Sequence, residues 1–288
     1  LELAGAWLAE EERTVWEGGR LRTERLRRLG AITLTTTPGP PPGPTAVAEA
    51  VVARVRAEGA DAGLGVLPWD EEALGLRARL ALLHEHLGEP WPDMSDAALA
   101  ERAEEWLAPA VTSLAGQAGG SNGASGSGGS ASGSGGRRFS LERLDVAQAL
   151  RALLPWPQAA RLDELVPERI EVPSGSQVRV DYTAAVGGAA GSAGSAEAGR
   201  AGRPVLAVRV QECFGWAATP RIVEGRVAVL LHLLSPARRP VAVTDDLASF
   251  WEQGYPQVRA EMRGRYPKHA WPEDPWNAPA TRGTGRRR

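Results

Sequence analysis

A chain of 288 residues with 43% hydrophobic side chains can bury the cores of two modest domains. Its one cysteine, Cys213, excludes an internal disulfide and a cysteine-based zinc cluster, and fits a reducing, cytoplasmic setting. The net charge of −2 hides an asymmetry: residues 1–117 carry 11 basic and 19 acidic side chains and the remainder 22 and 16, so a polyanion would be met by the second half.

Leu1-Glu2-Leu3-Ala4-Gly5 offers neither an initiator methionine nor a basic signal region, so the sequence reads as beginning inside something longer. Leu1, Leu3, Trp7 and Leu8 fit a helix turn or an edge strand equally. Thr14 to Glu17 and the run from Leu21 to Leu34 flank Gly18-Gly19, which predicts a tight turn and a hairpin. The second arm is basic, with Arg20, Arg22, Arg25, Arg27 and Arg28. It is either a solvated edge strand blunted by charge or an arm that faces nucleic acid. Pro38-Gly39-Pro40-Pro41-Pro42-Gly43-Pro44 can join neither helix nor ladder and reads as an extended linker.

Helical periodicity runs from Thr45 to Pro109. Thr45 is the expected cap of a helix through Val47, Val51, Val52 and Val55. Asp70 caps the next, with Glu71 and Glu72 in its first turn and Leu76, Leu80, Leu83 and Leu87 on one face, closed by Gly88. Ser95 caps a third, faced by Leu99, Ala103, Trp106 and Leu107 and stopped by Pro109. His84 and His86 stand two apart and point away from each other, so no metal site is expected. Residues 116–136 are almost pure Gly, Ser and Ala and are expected to be disordered. Helical patterning returns from Phe139 to Trp156.

After Gln158 the pattern turns to strand. Ile170-Glu171-Val172 and Val178 to Tyr182 alternate around Pro173-Ser174-Gly175-Ser176, a turn signal. Neither serine has a nucleophile elbow or an identifiable base, so both read as turn formers. Residues 184–202 are a second Gly/Ala insertion, expected to be disordered. Val205 to Val210 reads as a strand, Cys213 as a small buried hydrophobe, Gly225 to Pro236 as one buried strand, and Pro240 to Val243 as its partner. Thr244 is the expected cap of a helix with Leu247, Phe250 and Trp251 on its apolar face.

The stretch that follows concentrates cations. Pro256 opens a helix on which Val258 and Met262 share one face and Arg259 and Arg263 the next stripe, and Gly264 can end it. Arg265, Lys268 and His269 continue the positive charge, and Trp271 adds an aromatic face. Arg259, Arg263, Arg265 and Lys268 are the candidate phosphate contacts and Trp271 the candidate stacking surface, against the plainer reading of a packed helix with solvated arginines. Residues 281–288 form a basic tail.

Met262-Arg263-Gly264-Arg265-Tyr266-Pro267-Lys268-His269, then Trp271-Pro272 and Asp274-Pro275, resemble the terminal signature of the bacterial HrpB-type DEAH-box ATP-dependent RNA helicases. Leu64 to Trp69, Trp91 to Ser95, Glu105 to Pro109, Val172 to Ser176 and Val180 to Tyr182 resemble the same family, and Arg28 to Ile32 resembles the end of its small OB-like barrel. The resemblance implies an α+β chain: a partial OB-like segment over 1–37, a helical module over 45–115, and a C-terminal domain of antiparallel strands and helices over 137–280. OB-type barrels often bind single strands, which supports an RNA-facing role for Arg25, Arg27 and Arg28. A helicase motor needs a Gly-x-x-x-x-Gly-Lys-Ser/Thr loop, and the sole lysine, Lys268, is not in one. ATP and Mg are therefore implied for motor domains in cis or in trans. The expected partner of this chain is single-stranded RNA, with a protein-interaction platform as the alternative and no membrane insertion.

Overall fold

The computed structural model describes residues 8–17, 20–57, 64–119, 139–183 and 203–284. The turn expected at 18–19, most of the expected disordered segments and the last residues of the tail lie outside them. The chain is α+β and divides into two units that interleave in sequence: Leu1–Ala73 with Asp93–Leu153, and Leu74–Pro92 with Leu154–Arg288.

The first unit opens with a three-stranded antiparallel sheet, β1 (Leu8–Glu17), β2 (Arg20–Leu29) and β3 (Ile32–Pro38), in the order β1-β2-β3. The basic arm β2 is thus the central strand, not an edge. Its helices are α1 (Pro44–Ala57), α3 (Asp96–Glu101), α4 (Ala103–Gly119) and α5 (Val146–Arg151), with α2 (Glu71–Leu87) beginning at its border. Helix α1 starts at Pro44 instead of using Thr45 as its cap, because the fixed φ of proline suits a first helical position and the Val47 N–H bonds to the Gly43 carbonyl. Valines 47, 51, 52 and 55 are buried against α4, whose Trp106 is fully buried and donates from Nε1 to the Leu99 carbonyl at 3.0 Å.

The third expected helix is two. Ser95 caps α3 by accepting from the Ala98 N–H, and the chain breaks at Arg102 before α4. Pro109 does not stop α4, which continues to Gly119. Proline 109 is on the exposed side, while Trp106, Leu107 and Val111 are buried around it and hold the helix together.

The second unit is built on a five-stranded sheet of order β10-β9-β6-β5-β4, from β4 (Arg169–Glu171), β5 (Gln177–Asp181), β6 (Val205–Arg209), β9 (Leu230–Leu234) and β10 (Pro240–Thr244). β4 and β5 form the expected hairpin, and β9 pairs antiparallel with β10. β6 and β9 pair in parallel, Val205 opposite Leu230 to Arg209 opposite Leu234, so the sheet is mixed instead of antiparallel. The single strand expected from Gly225 is two: β8 (Val227–Ala228) forms a hairpin with β7 (Arg221–Ile222), and β9 begins only after Val229.

Helix α6 (Gln158–Leu165) and the remainder of α2 add the helical layer. Arg79 of α2 is only 4% exposed; its Nε donates to the Val166 carbonyl at 2.7 Å, and its other nitrogens pair with Glu168 and Asp163. A buried guanidinium needs this full set of acceptors. His84 uses Nδ1 on the Trp91 carbonyl at 2.7 Å.

Leu247–Ser249 is a short α turn capped by Asp246, whose carboxylate accepts from the Ser249 N–H. Thr244 is not the cap; its hydroxyl donates to the Asp246 carbonyl. A π segment, Phe250–Gly254, leads into α7 (Tyr255–Arg265). Phe214, Phe250, Trp251 and Tyr255 pack edge to face or tilted, with centroids 5.2 to 6.4 Å apart. Cys213 is fully buried beside them, and burial pushes its thiol far above the ordinary range.

Candidate nucleic-acid interface

Helix α7 forms because Pro256 fits its first turn and Tyr255 and Met262 bury on one side, and it runs through Gly264 to Arg265. The chain then folds back. The Tyr266 N–H bonds to the Met262 carbonyl at 2.7 Å and the His269 N–H to the Tyr266 carbonyl at 3.1 Å. Arg259 holds the returning segment, donating from Nε to the Trp271 carbonyl at 3.0 Å and from Nη2 to Glu273 at 2.9 Å. Tyr255 also reaches across to the Pro272 carbonyl at 2.9 Å.

This geometry separates the candidates. Trp271 is 8% exposed and its Nε1 donates to the Tyr266 carbonyl at 3.1 Å, so its rings and its one donor are used in packing. It is corrected from a stacking surface to a core anchor. Arg259 is likewise engaged by the fold. Arg265 keeps a loose pair with Glu261 at 3.7 Å, one helical turn back. Arg263 and Lys268 are exposed, and neither makes an ion pair among the described residues.

His269 is corrected too. Partial burial, and then the charge of Arg209, depress its pKa below the ordinary 6.5, so near neutral pH the ring is not a cation. Acidification from neutral pH should therefore destabilise the fold through His269, since the unfolded imidazole takes up its proton near 6.5 and the folded one only at lower pH. The unfolding midpoint followed against pH should fall over that window, and fall less in His269→Gln.

The arginines of β2 are compensated across the hairpin. Arg25 meets Glu12 at 2.9 Å, Arg28 meets Glu11 at 3.1 Å and Arg27 meets Glu10 at 3.5 Å. Arg25 and Arg27 stay exposed and Arg28 is half-buried, but the two strands together leave these three with no net positive charge to offer a phosphate.

Sequence reasoning missed a second set of cations around the Ser174–Ser176 turn. Gly175 takes φ +76 there, a conformation that favours glycine. Ser176 and Ser174 donate to Glu212 at 2.7 and 3.2 Å, and Arg209 donates from Nε to the same carboxylate at 3.0 Å. Burial alone raises the Glu212 carboxyl, but the bonds from Arg209 and Ser176 outweigh it and hold the pKa below the ordinary value. Arg282 donates from Nε to the Ser174 carbonyl at 2.9 Å. A Gly/Ser turn, an isolated arginine and a tail arginine, far apart in sequence, carry no joint signal.

Among the described residues no helix is long and apolar enough to cross a membrane, and no cluster of side chains could hold a metal ion. Residues 134–275 match a family described as ATP-dependent helicase C-terminal, HrpB_C. Over 281 residues the chain is 36% identical to the ATP-dependent RNA helicase HrpB of Escherichia coli strain K12, covering 96% of this chain and 30% of that protein. The crystal structure of the E. coli DExH-box NTPase HrpB aligns with a TM-score of 0.69 at 34% identity, over 98% of this chain and 30% of the other. That of the E. coli DEAH/RHA helicase HrpB aligns at 0.61 and 32%, over 92% and 29%.

Proposed function

The chain belongs to the HrpB helicase family through its C-terminal region, and from that premise we propose that it is an accessory portion that contacts single-stranded RNA beside an ATP-driven motor. It spans about 30% of the length of the curated relative it matches, so the motor's activity is carried by other residues, in cis or in trans. ATP and Mg would serve that motor. The observation that carries the RNA reading is that Arg263 and Lys268, on the folded-back terminal stretch, are exposed and make no ion pair among the described residues. Cations held on a rigid element without a counter-ion suit phosphate contacts, which position a strand without reading its bases.

Replacing Arg263 and Lys268 together by Gln is expected to flatten the slope of log K against log salt by about 1.4 for single-stranded RNA, since each phosphate neutralised on a single strand adds about 0.7. Affinity should fall similarly for different RNA sequences. Unchanged affinity and slope in the folded double variant would remove this site from consideration.

One observation favours the alternative of a protein-interaction platform. Trp156 is 82% exposed, and Pro155, Pro157, Ala159 and Ala160 around it are exposed too. An exposed tryptophan in an apolar setting is the kind of anchor that protein partners bury. Weaker motor association in Trp156→Ala with RNA affinity intact would support that reading.

A further inference from the structure

An open cavity of about 460 Å³ lies within the second unit, and none of its lining residues belongs to the terminal stretch from Tyr255 onward. Small-ligand sites commonly occupy about 300–1,000 Å³. Its lining includes three guanidinium groups, Arg203, Arg221 and Arg226, and three carboxylates, Glu85, Asp245 and Asp246. These charges are not used alike. Arg203 pairs with Asp245. Arg221 instead donates to the Gly225 carbonyl at 2.6 Å and the Arg226 carbonyl at 3.1 Å, and Arg226 donates to the His86 carbonyl at 2.7 Å. A carbonyl orients a guanidinium without neutralising it. Both arginines therefore keep their charge and further N–H donors.

The β7–β8 hairpin fixes their spacing. Val223, Glu224 and Gly225 in its turn take φ +52, +55 and +80. For a β-branched residue this is a strained conformation that persists only where the surroundings enforce it. Val223 is fully buried and its N–H bonds to the Leu165 carbonyl at 2.8 Å, while Arg221 ties down the carbonyls at the end of the turn. The two arginines thus stand on a pre-organised element.

The carboxylates in the same cavity disfavour a run of phosphates. A ligand with one anionic group and adjacent hydroxyl or amino donors satisfies both signs of charge. We propose that this cavity takes one nucleotide of a single RNA strand, with its phosphate on Arg221 and Arg226 and its ribose hydroxyls or base amino group on Glu85 and Asp246. This rests on the RNA-contacting reading above and adds a holding point distinct from the terminal stretch.

The test uses the full chain, a single-stranded RNA carrying thiouridine for photo-crosslinking, and DNA of the same sequence. Arg226→Gln, which spares the bonds that Arg221 makes to the turn, is expected to weaken RNA binding about tenfold, as removing a charge-assisted hydrogen bond does. The salt slope should flatten by about 0.7 with the melting temperature unchanged, and Arg226→Lys should keep the slope. Crosslinks should fall within residues 221–228, and Glu85→Ala should narrow the preference for RNA over DNA. If the wild type binds RNA but Arg226→Gln keeps its affinity and slope, or crosslinks fall only outside this cavity, the site is overturned and the RNA reading stands. If the wild type does not bind RNA, both fall.

Discussion

Trp271→Ala is expected to lower the unfolding free energy by about 3–5 kcal/mol, the usual range for truncating a buried tryptophan. The side chain is 8% exposed, and its removal would leave a cavity and the Tyr266 carbonyl without its indole donor. The same change would loosen the returning segment that Arg259 and Tyr255 hold through the Trp271 and Pro272 carbonyls. Chemical denaturation of the full chain measures it directly. Trp271→Phe should recover most of the packing and leave a deficit of about 1 kcal/mol for the missing hydrogen bond. Wild-type stability in Trp271→Ala, with RNA affinity reduced, would restore the stacking role that burial argues against.

The second large effect is expected at Glu212. Its carboxylate is the common acceptor for Ser174, Ser176 and Arg209, and the residue is 6% exposed. Glu212→Ala removes the shared acceptor of two half-buried hydroxyls and a half-buried guanidinium, at a cost of about 2 kcal/mol. Glu212→Gln keeps an acceptor oxygen and should cost less. The two differ from wild type in pH dependence as well. The folded carboxyl lies below its ordinary value, so its contribution is complete above that value and is lost as pH falls through the folded one. Denaturation curves taken between neutral and acid pH should fall more steeply in the wild type than in either variant, in which only other groups such as His269 still titrate.

Much of the fold was written in local chemistry. Asp70 and Ser95 act through backbone N–H groups three residues on, and the Pro173–Ser176 turn joins strands that lie next to it in the chain, so each was legible locally. Pro109 was misread because its effect depends on tertiary burial: Trp106, Leu107 and Val111 hold a helix that local propensity would end. The parallel pairing of β6 with β9 was not legible, since it depends on how the chain between them crosses over.

For the candidate site, sequence located the cations but not their partners. Arg259 looked free because Glu273 comes within reach only once the chain has folded back. The pairing of Arg25 with Glu12 and Arg27 with Glu10 was recoverable, since the strand register sets those residues opposite each other. In that register Glu10, Glu11 and Glu12 of the first arm answer Arg25, Arg27 and Arg28 of the second.

Interleaving has a consequence for where this protein can be divided. The helicase C-terminal family covers residues 134–275, but the second unit also takes Leu74–Pro92. Those earlier residues bring Arg79, whose guanidinium meets the Val166 carbonyl, and the buried Leu76, Leu80 and Leu83. A segment excised at the family boundary would thus lose a helix from its own core while keeping α5, which belongs to the other unit. The residues that match the helicase C-terminal family and those that pack as one body are different sets, so a fragment meant to keep its core has to be cut by packing and not at the family boundary.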